Sequence, residues 1–191
     1  MKNIILIILL LCSTVKAADV KGLSNHELLK NIASYLSAEK NKKNNKVELD
    51  IYKSSFEELD NRVKNGNPSA HLYRGLLDFT ICGLSKEQGI DAVTFKPCID
   101  SFNHFEVAAS TTKPMLPHER AQALSYKGEM YVGGFGVAKS NILAANSFVN
   151  AAVVNIENTD KENALLNLER ALQAYPEHPK ARRLLKALLE E

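Results

Sequence analysis

The sequence predicts an all-α protein, an α-α superhelix of about four antiparallel helix pairs. Three observations predict it. Apolar residues recur at helical spacing in eight segments, and no alternating apolar/polar run marks a strand. Glycine, proline and capping residues punctuate the segments at turn-length intervals. Two short signatures lie back to back in the second half: Gly128, Tyr131, Gly134, Gly136 and Val137 with Ala144, Ala151 and Ala152, then Ala164, Leu168, Ala171, Leu172 and Pro176.

The chain opens Met1-Lys2-Asn3, continues without a polar residue from Ile4 to Leu11, and reaches Val15-Lys16-Ala17. A basic start, a short apolar stretch and small residues at the last and third-last places define a secretory signal peptide, residues 1–17. The stretch is short of the ~20 residues that span a bilayer. A lipoprotein signal using Cys12 is the rival, but Leu11 stands where such signals carry a small residue. Removal of residues 1–17 leaves 174 residues with 22 basic and 22 acidic side chains. That balance offers no electrostatic case for nucleic acid or anionic lipid. The expected location is the periplasm or the exterior, and a composition rich in Lys, Asn and Ile suggests a bacterium. Residues 18–191 read as one helical domain. Cys82 and Cys98 remain after cleavage, and in an oxidising compartment they predict one structural disulfide.

The first helix follows the capping box Ser24-Asn25-His26-Glu27, with Leu28, Leu29, Ile32 and Leu36 at helical spacing. A polar Lys/Asn run, 39–46, reads as a solvated linker. The second helix, 47–64, carries Ile51, Phe56, Leu59 and Val63 as its expected buried stripe. Gly66 fits a left-handed helix end and Asn67-Pro68 a helix start. These two helices form an N-terminal pair, 18–66. The third helix, 68–82, places Leu72, Leu76 and Phe79 on one face, with Gly75 allowing close approach of a neighbour. A long connection, 83–95, precedes the fourth helix, which opens at Lys96-Pro97 and carries Ile99, Phe102, Phe105, Val107 and Ala108. Cys82 ends one helix and Cys98 begins the next, so an antiparallel pair brings them together. Loops of this length are often functional.

The fifth helix, 117–132, ends in the glycine turn 133–136. Ser140 caps the sixth, 140–156, which runs through Ile142, Leu143, Ala145, Phe148 and Ala152. Thr159-Asp160-Lys161-Glu162 reads as a capping box for the seventh helix, with Leu165, Leu168, Ala171 and Leu172 inward. Pro179 starts the eighth, with Ala181, Leu184, Leu185 and Leu188.

Residues 117–152 resemble a Sel-one-like repeat. Ala123, Gly128, Tyr131, Gly134, Gly136, Val137, Ala144, Phe148, Ala151 and Ala152 match its pattern. Lys127 and Ser147 replace the family's Leu and Trp. Residues 67–109 look like a degenerate copy through Ala70, Gly75, Phe105, Ala108 and Ala109, with the cysteine-bounded loop in place of the turn. Residues 159–191 are similar to a tetratricopeptide repeat: Ala164, Leu168, Ala171, Leu172 and Pro176 fit its second helix, followed by a terminal capping helix. Both resemblances imply a curved helical stack that binds a protein or peptide on its concave face, here from the third, fifth and seventh helices, without chemistry of its own.

Other chemistries find weaker footing. Gly133 to Ser140 nearly spells a phosphate-binding loop, but Ala138 stands at the second glycine and a helix precedes it where a strand is needed. His26, His71, His104, His118 and His178 form no H-E-x-x-H and no i, i+4 pair, so no metal is expected. Ser-x-x-Lys at Ser37 and Ser110 lacks its companion motifs. Paired carboxylates such as Glu57-Glu58 sit on polar faces. The expectation is therefore a non-enzymatic exported scaffold with a protein or peptide partner and no cofactor. The alternative is a periplasmic inhibitor or immunity-type protein that plugs a toxin or hydrolase with the braced loop 83–95.

Overall fold

The computed structural model describes residues 20–39, 46–83 and 89–190; the expected signal peptide with Cys12, most of the Lys/Asn linker and residues 84–88 of the 83–95 loop lie outside them. The fold is all-α. Among the described residues a 3-10 turn, Val20–Gly22, precedes eight helices: α1 Asn25–Glu39, α2 Lys46–Lys64, α3 Pro68–Gly83, α4 Lys96–Ser110, α5 Pro117–Gly133, α6 Asn141–Glu157, α7 Lys161–Ala174 and α8 Pro179–Glu190. No strand occurs among the described residues. Contacts divide the chain into two compact units, one up to Arg74 and one from Gly75 onward, so the division falls within α3.

In the first unit α1 packs on α2. The capping box at α1 forms as its sequence demands. The Glu27 N–H donates to the Ser24 hydroxyl at 3.2 Å, while the Ser24 N–H and hydroxyl both donate to the Glu27 carboxylate at 2.7 Å. Those bonds to Ser24 hold the Glu27 carboxyl below its ordinary range. They are therefore present above that range and are lost as pH falls through the lowered value. Leu28, Ile32 and Leu59 are fully buried. The expected stripe on α2 is rotated: Ser55 is fully buried beside Leu59, while Ile51, Phe56 and Val63 are only half-buried. Ser55 is tolerated there because its hydroxyl accepts from Asn31 on α1 at 3.2 Å. Arg62 holds the 3-10 turn to α2, bonding the Lys21 carbonyl and Asn25 at 2.9 Å each and Glu58 at 2.8 Å. Gly66 adopts φ 69°, and Asn67 accepts from the Ala70 N–H at 3.0 Å to start α3.

In the second unit consecutive helices pack on each other: α4 on α5, α5 on α6, α6 on α7 and α7 on α8. The turns joining α5 through α8 are too short to do anything but reverse the chain, so neighbours run antiparallel. The core gathers Ala144, Ala145, Phe148, Val149 and Ala152 of α6, Ala164, Leu168 and Ala171 of α7, and Ala181 and Leu188 of α8. Alanines dominate because close-packed helices leave little room between their axes.

Ile142 and Leu143, in the first turn of α6, are 58% and 45% exposed, and the core side of that helix starts at Ala144. Val107 is likewise exposed, with Phe105 and Ala108 carrying the buried side of α4. The expected cap of α7 needs correction: it is Asp160 and not Thr159. The Asp160 carboxylate accepts from the Asn163 N–H at 3.2 Å, while Thr159 takes φ 60° in the turn before it. Asp160→Ala is thus expected to destabilise by about 1 kcal/mol. Thr159→Gly, which relieves a left-handed residue, is expected to be neutral or stabilising. Urea midpoints of the two variants, moving in opposite directions or apart by that amount, check the cap.

Candidate interaction face

The repeat-signature residues perform identifiable packing jobs. Gly128 lies against the Phe148 ring of α6, and a Cβ there would stand 2.7 Å from a ring carbon. Gly75 lies against the Phe105 ring of α4 in the same way, at 2.8 Å. One device, a helix glycine notched around a phenylalanine of the following helix, is therefore used in both pairs, α3/α4 and α5/α6. Tyr131 meets Phe102 of α4 edge-on at 5.3 Å. Ala144, Ala151, Ala152, Ala164, Leu168 and Ala171 are fully buried. Leu172 packs on the core from its edge. Pro176 is exposed; its carbonyl accepts from Arg182 at 2.8 Å. Lys127, standing where the resemblance expects Leu, extends toward α4 and pairs with Glu106. Ser147, standing for Trp, is buried with its hydroxyl on the Leu143 carbonyl.

The glycine turn does more than reverse the chain. Gly134 ends α5 in the left-handed region at φ 68°, its N–H on the Met130 carbonyl. Gly136, at φ 64°, lies on the first turn of α4: a Cβ there would overlap the Cys98 carbonyl. Its N–H donates to the Ala92 carbonyl at 2.9 Å. Cys82 and Cys98 are joined in a disulfide with Cα atoms 4.8 Å apart, and both are fully buried. The C-terminal part of the 83–95 loop is thus held from two sides, by the disulfide and by the turn after α5.

Helices of alternate number also meet. Phe79 of α3 packs on Tyr126 of α5 at 5.6 Å. Arg170 of α7 donates to the Ser125 hydroxyl of α5 at 3.2 Å and stands 3.6 Å from Glu129. The second half of α3, α5 and α7 therefore form one row. Burial of Tyr126, beneath the row, pushes its phenol up, with Arg170 pulling the other way. Outward from the row stand Gln122 and Glu129 of α5 and Leu166 and Gln173 of α7; Leu166 is 43% exposed although it is apolar. Arg170 is half-exposed among them.

The sequence places Phe79 on one face of the third helix but does not single out Tyr126 or Arg170. Their partners are 45 residues or so away in the chain, and helical spacing alone does not say which helices become neighbours two elements apart. Residues of the other motifs also have structural contacts. The Gly133 to Ser140 segment follows a helix, and Ser140 caps α6 by accepting from the Leu143 N–H at 3.3 Å. The Ser110 hydroxyl donates to the Glu106 carbonyl. His26 meets Tyr73 and His104 stands 3.8 Å from Asp78. Among the described residues no group of His, Cys, Asp or Glu is placed to hold a metal, and no helix is long and apolar enough to cross a membrane. No known protein family, no curated protein and no solved structure matches this chain.

Proposed function

We propose that this chain is an exported helical-repeat scaffold that binds a protein or peptide partner and carries out no chemistry itself. The observation that supports it is the α3–α5–α7 row. It presents a mixed surface of Gln122, Glu129, Leu166, Arg170 and Gln173, with the Arg170 side chain half-exposed while it holds Ser125 and Glu129. Arginine is enriched at interface centres over ordinary surface, and the exposed Leu166 adds apolar area to the same helix. The likeness of residues 117–152 and 159–191 to Sel-one-like and tetratricopeptide repeats points the same way.

A second reading has its own observation. Ile90 and Val93 are exposed on the part of the loop that the disulfide and Gly136 hold in place. A braced loop with apolar side chains outward suits an inhibitor-type plug.

The test is capture of partners from cell-envelope extract by the mature protein, quantified by mass spectrometry, against two variants checked for native circular dichroism. Leu166→Asp/Arg170→Glu is expected to lose the captured partner by at least about tenfold, as removal of interface anchors does. Ile90→Ser/Val93→Ser is expected to retain it. Loss on the loop variant alone would favour the plug; retention by both variants would sink both readings.

A further inference from the structure

Antiparallel packing puts three helix connections of the second unit, α3–α4, α5–α6 and α7–α8, at one edge. Two contacts hold them side by side. The Gly136 N–H donates to the Ala92 carbonyl at 2.9 Å, joining the second connection to the first. His178 Nε2 lies 2.9 Å from the Asn146 side-chain oxygen, joining the start of α8 to α6 one turn past Ile142 and Leu143. Each connection carries apolar side chains that stay in solvent. Ile90 and Val93 stand on the first, Val132, Ile142 and Leu143 flank the second, and Tyr175 opens the third; all are between 37% and 58% exposed. Covering such side chains with anything apolar is favourable, and a folded chain seldom gathers them at one place without a use.

Charge is sorted along the same edge. Its carboxylates are engaged. Asp91 accepts from the Val93 N–H at 3.0 Å and from the Thr94 hydroxyl at 3.3 Å. Asp100 pairs with Lys96 at 2.7 Å, and Glu177 with Arg182 at 2.6 Å. Lys139, beside the second connection, and Lys180 and Arg183, at the start of α8, are exposed and have no ion pair among the described residues. Lys180 and Arg183 converge with Pro179 on an open hollow of about 330 Å³. The α6–α7 turn, at the opposite edge, carries Glu157, Asp160 and Glu162 against Lys161. The even charge totals of residues 18–191 therefore hide a separation, with unpaired cations among apolar tips at one edge and carboxylates at the other.

We propose that this edge docks the protein on an anionic lipid bilayer. The apolar side chains of the three tips enter the headgroup layer, and Lys139, Lys180 and Arg183 meet lipid phosphates, with the hollow on α8 seating one headgroup. Unpaired cations call for an anionic occupant, and apolar tips for one with hydrocarbon beneath its charge; an anionic bilayer supplies both. The tips also stand on three separate connections. A flat, fluid surface meets all three at once, whereas an acidic protein would need a relief matched to each. The α3–α5–α7 row lies on the helix sides, a different surface, and its partner takes no part in this docking.

Sedimentation of the full mature chain with vesicles tests it. Binding to vesicles of equal parts phosphatidylglycerol and phosphatidylcholine is expected to exceed binding to pure phosphatidylcholine at least about tenfold, and to fall about tenfold between about 0.05 M and about 0.5 M salt. Lys139→Gln/Lys180→Gln/Arg183→Gln should weaken it about tenfold or more, and Ile142→Ser/Leu143→Ser about tenfold. Leu166→Asp/Arg170→Glu, on the row, changes net charge as much as the glutamine variant does and should bind within about twofold of the wild type. All variants are checked for native circular dichroism. The chain has no tryptophan, so Ile142→Trp gives a single reporter: its emission should shift to the blue on anionic vesicles, and that of Leu166→Trp should not. Equal binding to neutral vesicles, binding to neither, full binding by the glutamine or serine variant, an equal loss in the row variant, or an unshifted Ile142→Trp would each overturn the docking. Edge-dependent binding to soluble polyglutamate without binding to vesicles would assign the surface to an acidic protein and overturn it as well.

Discussion

Gly136→Ala is expected to destabilise the second unit by about 2–4 kcal/mol, although the change adds one methyl group at a partly exposed turn. Two costs combine. The residue holds φ 64°, which costs a non-glycine residue roughly 1 kcal/mol. The added Cβ would also overlap the Cys98 carbonyl and the Ile99 nitrogen, which belong to the backbone of α4 and cannot rotate away. Forcing them apart costs about 1–3 kcal/mol more, as overpacking does. Gly89→Ala supplies the control. Gly89 has nearly the same φ, 68°, but open space where its Cβ would be. It should lose only about 1 kcal/mol. Urea unfolding of the two variants separates the terms, and equal losses would mean that the turn does not bear on α4.

Cys82→Ala/Cys98→Ala is expected to cost about 3 kcal/mol, from the freedom the unfolded chain regains when a closure of 16 residues is removed. The more informative result concerns coupling. The Gly136 turn rests on the carbonyl of Cys98 and bonds Ala92 inside the bridged loop. Without the bridge, α4's first turn can yield to an added methyl. Gly136→Ala should therefore cost at least about 1 kcal/mol less in the cysteine-free background, beyond the ~0.5 kcal/mol by which independent sites depart from additivity. Strict additivity in the four-variant cycle would show that turn and bridge act separately.

The sequence already carries most of the helix ends, because those are set by local chemistry. Ser24 with Glu27, Asn67 with Pro68, Gly66 and Ser140 each act within four residues of where they stand. The disulfide was legible for a similar reason: it joins the end of one helix to the start of the next. The cap of α7 was misassigned by one residue since Thr159 and Asp160 both suit the role, and only the backbone shows that Thr159 is spent on a left-handed turn. Burial on α6 was harder to read. It is covered by α5, α7 and α8 and buries residues on nearly every side, so its periodicity carries little information about direction. The face formed by α5 and α7 was legible only as an expectation about repeats. The contact that defines it, Arg170 to Ser125, links two ordinary polar residues with no local signal.

The glycine–phenylalanine notch separates two properties that usually vary together, the register of a hairpin and its length. Gly75 and Phe105 are 30 positions apart, Gly128 and Phe148 only 20, yet the rings seat alike. Of the ten extra positions in the first hairpin, five lie in the connection, 84–95 against 134–140, and five lengthen its helices beyond the notch, and the rings still mate alike. The lock is no wider than a hydrogen atom in place of a methyl, and it sits in the body of the pair, away from the tip. Each hairpin can therefore carry a tip of its own length over the same kind of core, and in the first the Cys82–Cys98 bridge fixes where that tip begins and ends.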